Sequence, residues 1–147
     1  LNVRNEESVR KEFHHLMKIE GANAVLIAQM AVGTELFLGA KYENPFGHVI
    51  LCGLGGIYVE VMKDVTSGLA PLSLDEAYSM IYNLKSYNIL KGYRGKSGVD
   101  IRKFAQIIVR LSSLLRFATE IKELDINPLI GNTSSILAVD ARIRIEK

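Results

Sequence analysis

The stretch ELFLGAKYENPFGHVILCGL, Glu35–Leu54, decides the fold class. In its first half Leu36, Leu38, Ala40 and Tyr42 fall on one face and Glu35, Phe37, Gly39 and Lys41 on the other, the alternation of a strand. Its second half, HVILCGL (48–54), is an apolar β-type run. The connector ENPFG carries Asn, Pro and Gly, each suited to a turn for its own backbone reason. An antiparallel hairpin is therefore predicted.

Upstream, AVLIAQM (24–30) reads as a further strand. Before it, Glu6 to Ile19 predicts a helix: Val9, Phe13, Leu16 and Met17 form one stripe, Asn5 suits the N-cap, and Gly21 suits the end. Downstream, Ser73 and Glu76 have capping-box spacing at the start of a second helix, whose buried face is Leu74, Ala77, Tyr78 and Ile81. A third helix is predicted over about 99–118, with Ile101, Phe104, Ala105, Ile108, Leu111, Ser112 and Leu115 on one side. Strands at 122–130 and 135–145 close the chain around GNTSS. Helix, three strands, two helices and two strands make an α+β layer with a largely antiparallel sheet.

The chain has 147 residues and a formal net charge of +2. It is read as one domain (1–147) or a piece of one, without the basic footprint of a nucleic-acid binder. No apolar run approaches the roughly 20 residues of a membrane helix. It begins at Leu1, and LNVRNEESVRKEF lacks the apolar core of a signal peptide. A processed or partial chain in the cytoplasm is the expectation. The single cysteine, Cys52, lies in an apolar run and reads as a buried structural thiol.

Four segments carry possible chemistry. In ELDINPLIGN (123–132), Glu123, Asp125 and Asn127 share one strand face, and Leu124, Ile126 and Pro128 the other. A hairpin about Gly131–Thr133 brings Asn127 opposite Asp140 of LAVDARI, with Cβ atoms about 5 Å apart. Such a pair suits a hard cation that shares its shell with phosphate and water, such as Mg²⁺; it equally suits a solvated edge hairpin. Gly55–Gly56 permits positive φ and close approach to a phosphate, with Glu60 behind it, and equally an ordinary turn or bulge. It lacks both the Rossmann and the P-loop patterns. KGYRGKSG (91–98) offers Lys91, Arg94 and Lys96 to an anion or simply to water. Finally, the backbone at Gln29, Met30 and Ala31 suits an adenine edge, and Glu35 suits ribose hydroxyls. The histidines His14 and His15 point about 100° apart on a helix and read as solvated.

Together, GTELFLGAKYENPFGHVILCGLGGIYVEVMKDVTSGLAPLS, ELDINPL and AVDARI closely resemble the C-terminal part of the ATP-grasp domain or subunit of NDP-forming acyl-CoA synthetases. These are the ADP-forming acetate–CoA ligases, related to the β subunit of succinyl-CoA synthetase. The resemblance covers about Leu1 to Ile143. It implies Asn127 and Asp140 as Mg²⁺ ligands, and Asp125 as the acidic residue beside a phosphohistidine relay. Gln29, Met30 and Ala31 match the adenine hinge, Glu35 the acidic position after it, and Gly55, Gly56 and Glu60 an active-site Gly-Gly-x-x-x-Glu pattern. The implied reaction interconverts acyl-CoA, ADP and phosphate with acid, CoA and ATP. The first ATP-grasp lobe, the CoA-binding and ligase domains and the relay histidine would lie elsewhere, on the same polypeptide or a partner subunit. The 147 residues alone would then be inactive. The alternative is a non-catalytic regulatory ATP-grasp-like domain, as in a fused protein acetyltransferase.

Overall fold

The computed structural model describes residues 3–56, 63–95 and 97–146. They form two compact units, Leu1–Met30 and Ala31–Lys147.

The first unit holds helix α1, Glu6–Leu16. Asn5 caps it by accepting from the Ser8 amide at 2.8 Å, and Glu6 and Glu7 sit at its positive end. The helix ends at Leu16, short of Ile19, and loose turns carry the chain to Gly21, whose φ is +82°. No residue of α1 is buried. The run AVLIAQM is not a strand: residues 22–32 have no regular structure, and Leu26 is 91 % exposed. A strand exists only through its neighbour's hydrogen bonds, and no described strand pairs with this run.

The second unit is one antiparallel sheet with helices on one face. Its strands are β1 (Thr34–Glu43), β2 (Gly47–Leu54), β3 (Val65–Leu69), β4 (Ile121–Gly131), β5 (Ile136–Ala138) and β6 (Ala141–Ile145). The order is β3-β2-β1-β4-β5, and β6 pairs with β4 beyond β5. The predicted β1–β2 hairpin is present, with Leu38 opposite Cys52 and Gly47 at φ +91° in the turn. The strand β3 has no counterpart in the sequence reading, and the predicted strand 135–145 is broken at Val139–Asp140 into β5 and β6.

Three helices belong to this unit: α2 (Leu74–Tyr82), the short α3 (Tyr87–Lys91) and α4 (Ile101–Phe117). The capping box forms in both directions between Ser73 and Glu76. Within α2, Ala77, Met80 and Ile81 are buried, whereas Leu74 is exposed. Leu74 stands in the first turn, ahead of the part of the helix that meets the sheet. Asp100 caps α4 through the Lys103 amide, and Phe104, Ala105, Ile108, Leu111, Ser112 and Leu115 are all buried as the spacing predicts. They pack with Leu36, Leu38 and Ala40 of β1, Ile50, Cys52 and Leu54 of β2, and Leu124 and Leu129 of β4. Each large side chain buried there contributes about 1.5–3 kcal/mol. Ser112 is satisfied in this apolar setting: its hydroxyl accepts from the Leu72 amide at 2.9 Å and donates to the Val109 carbonyl.

Candidate functional site

The face of the sheet turned away from α2 and α4 gathers its polar residues. On β1 it presents Glu35, Phe37, Gly39 and Lys41, since Leu36, Leu38 and Ala40 point into the core. Asp125 of β4 pairs with Gly39, and Glu123 with Lys41, so both carboxylates share this face. Beyond β4, Arg142 pairs with Asp125 and Arg144 with Glu123.

The register on either side of the β5–β6 break is the same: Leu129 pairs with Ala138, and Ile126 with Ala141. Counting inward from both pairs makes Asn127 and Asp140 level with each other along the chain register, across the break in pairing. The Asp140 carboxylate lies toward the same face, because its Oδ2 is 3.8 Å from Nε of Arg142. On the β1 side the pairing slips between Leu36 and Leu38, at the level of Asn127–Pro128. This irregularity corrects one detail of the sequence reading. After Ile126 the next core residue of β4 is Leu129, not Pro128. The Asn127–Pro128 peptide is cis.

Asp125 is the most distinctive group here. Its Oδ1 is buried without a hydrogen-bond partner among the described residues. Burial pushes its carboxyl above the ordinary range; Arg142 pulls the other way, and the charges of Asp140 and Glu123 add to the rise.

Two residues along β1 from Phe37, about 7 Å, Glu35 is clasped by the glycine pair. The Gly55 amide donates to the Glu35 carbonyl at 2.8 Å. A Cβ on Gly55 would meet the Leu36 carbonyl oxygen at 2.8 Å, and one on Gly56 would meet Oε2 of Glu35 at 1.9 Å. Gly56 also has φ +60°, which favours glycine there, and a side chain at that position would displace the Glu35 carboxylate. The structure thus brings Glu35, Gly55 and Gly56 together, and sets Asp125 within reach of the charges of Asp140, Arg142 and Glu123. Gln29 and Met30 end the first unit in an irregular stretch, and Ala31 opens the second. Glu60 lies outside the described residues.

Among the described residues, no three His, Cys, Asp or Glu side chains converge as a metal cage. One carboxylate and one carboxamide instead fit a cation that draws most of its shell from phosphate and water. A hollow of about 550 Å³ lies between β3 and α2, lined by Thr66, Ser67, Leu72, Glu76 and Met80 among others. It is not this face, whose chemistry is spread over an open sheet. Arg142 and Arg144 were not singled out from the sequence. Their signal was the alternation in DARIR, legible only once β6 is known to pair with β4. None of the described helices is long and apolar enough to cross a membrane.

The ATP-grasp domain family matches residues 1–145. The chain is 36 % identical to the β subunit of acetate–CoA ligase (ADP-forming) I of Pyrococcus furiosus, over 97 % of this chain and 65 % of that one. It is 41 % identical to the 4-hydroxybutyrate–CoA ligase (ADP-forming) of Nitrosopumilus maritimus, over 88 % of this chain and 20 % of that one. The chain thus spans less than two thirds of these relatives. Among solved structures it is similar to acetyl-coenzyme A synthetase 1 of Candidatus Korarchaeum cryptofilum, with a TM-score of 0.87 and 36 % identity, over 99 % of this chain and 67 % of that one. That protein was captured with coenzyme A and Mg-AMPPCP, its phosphohistidine segment pointing towards the nucleotide site. Residue pattern, antiparallel sheet and these likenesses agree: the chain belongs to the ATP-grasp domain family, among relatives that are ADP-forming acyl-CoA ligases.

Proposed function

We propose that this chain supplies the nucleotide- and Mg²⁺-binding surface of an ADP-forming acyl-CoA ligase. The whole enzyme would interconvert acyl-CoA, ADP and phosphate with acid, CoA and ATP through a phosphohistidine carried by another domain or subunit. Cytoplasmic ATP and CoA would feed it. The observation that supports this reading is the buried Asp125 oxygen without a partner among the described residues, beside Asp140 and level with Asn127.

Asn127 of β4 and Asp140, in the break between β5 and β6, would hold Mg²⁺. The cation, when bound, neutralises phosphate charge as the phosphoryl group moves in line. In the ATP-consuming direction the P–O bond to ADP breaks as the P–N bond to the imidazole forms. Asp125 would accept the hydrogen bond of the imidazole's other nitrogen, which satisfies its Oδ1 and steadies the ring. Glu35, held by Gly55 and Gly56, would accept from ribose hydroxyls, and the backbone of Gln29 to Ala31 would read the adenine edge. Gly56 and Glu60 would line the site. The CoA-binding and ligase domains and the rest of the ATP-grasp fold would come from elsewhere, so the 147 residues alone are expected to show no turnover.

Asp140→Ala in the full-length protein tests the reading. The expected result is a loss of at least about 100-fold in ligase activity, with the melting temperature unchanged because Asp140 is exposed. Unchanged activity would favour a regulatory domain that never turns over nucleotide.

A further inference from the structure

Strands β4 and β6 set a short ladder of opposite charges on the open face, and its two rungs behave differently. At the outer rung, Nε of Arg144 lies 3.4 Å from Oε2 of Glu123, and its guanidinium also reaches Glu146. That rung is closed. At the inner rung Arg142 is paired in register with Asp125 but is not bonded to it. Asp125 keeps a buried Oδ1 without a partner among the described residues, and Nε of Arg142 lies 3.8 Å from Asp140. Its side chain is 83 % exposed. So long and so exposed a contact does little for stability. Four of the five guanidinium donors have no partner among the described hydrogen bonds and ion pairs. A planar fork of this kind, free and on the same face as the Asn127–Asp140 pair, matches the paired oxygens of a phosphoryl group.

We propose that Arg142 binds the transferable phosphoryl group, first as the terminal phosphate of the nucleotide and then as the phosphate on the relay imidazole. The proposal rests on the nucleotide-site reading above. It gives the open rung a division of labour: Asp125 takes the nitrogen side of the phosphorylated ring and Arg142 the oxygen side. Arg142 is also the cation nearest Asp140.

The test compares Arg142→Gln, Arg142→Lys and Arg144→Gln in the full-length protein with its partner domains. Calorimetry in Mg²⁺ buffer would measure the affinity for a non-hydrolysable ATP analogue and for AMP, and radiolabelled ATP would measure phosphoenzyme formation. Arg142→Gln should weaken the analogue about tenfold or more, as loss of one charge-assisted fork does, with AMP unchanged and the phosphoenzyme depleted. Arg142→Lys should recover part of the loss. Arg144→Gln, which removes the same charge one rung away, should behave as wild type. A normal phosphoenzyme with weakened analogue would restrict Arg142 to the nucleotide stage and overturn its role at the imidazole. An Arg142→Gln protein that binds the analogue like wild type, or loses analogue and AMP equally, overturns the proposal. Wild-type protein that binds neither nucleotide defeats the nucleotide-site reading itself.

Discussion

Asp64 shows how one buried carboxylate joins two parts of the second unit. It stands just before β3 and is only 6 % exposed. Its Oδ1 accepts from the Lys85 amide at 2.9 Å and its Oδ2 from the Ser86 amide at 2.7 Å. These donors lie ahead of α3, so the side chain ties the sheet edge to the helix layer. Burial works against the charged form, but the bonds from Ser86 and Lys85 outweigh it and hold the carboxyl below its ordinary range. Its stabilisation is therefore full above the unfolded carboxylate value and fades as pH falls through the lower folded value. Asp64→Ala should cost about 1–3 kcal/mol at neutral pH, because it takes the acceptor from the buried Ser86 amide and from the Lys85 amide. The deficit, read from urea unfolding, should shrink below about pH 4. A deficit independent of pH would mean that packing, not the carboxylate, matters there. Cys52 is the contrasting case: burial pushes its thiol up to about 11, which fits the inert structural role expected from its apolar run.

At the scale of elements, the turn leaving β2 carries a steric requirement that the proposed site uses. Gly55→Ala would drive a methyl into the Leu36 carbonyl oxygen at 2.8 Å, and a backbone atom cannot swing aside as a side chain can. The expected cost is about 1–3 kcal/mol, together with weaker nucleotide binding as Glu35 shifts. Equilibrium unfolding and calorimetry on the same variant would read both, and a variant stable but unable to bind would place the effect wholly in the site. This constraint was only half legible: the sequence offers a glycine pair, but the carbonyl it must clear comes from another strand. The same division runs through the fold. The β1–β2 hairpin, the capping box at Ser73 and the stripe of α4 were readable because turn chemistry and periodicity are local. The run 24–30 has the composition of a strand but no described neighbour to pair with. VTSGL (65–69) is the converse, a weak local pattern made a strand by the edge of β2. No residue pattern marked the break at Val139–Asp140, because the irregularity belongs to the pairing.

For the whole molecule, the contrast between the two units sets a stability gradient. In the second unit β1 is hydrogen-bonded on both sides, to β2 and to β4, and its Leu36, Leu38 and Ala40 lie in the core. Its amides open only with the unit as a whole. In the first unit α1 spans 11 residues and buries none of them. A helix of that length is marginal in water without tertiary packing. The cap at Asn5 and the pair of Arg10 with Glu6 at 2.7 Å add little. Hydrogen exchange on the 147-residue chain should therefore separate the two sharply. A domain stability of about 5–10 kcal/mol corresponds to protection of about 10⁴-fold or more in β1, against less than about 10²-fold in α1. If α1 were protected within about tenfold of β1, its apolar stripe of Val9, Phe13 and Leu16 would have to be covered in solution, and the first unit would be a cooperative part of the fold. Adding Mg²⁺ and nucleotide to the full-length protein extends the same measurement. Slower exchange at Glu35 and Asn127, with β3 unchanged, is the pattern that ligand binding on the open face requires, whereas slowing confined to β3 and α2 would assign the nucleotide to the hollow between them.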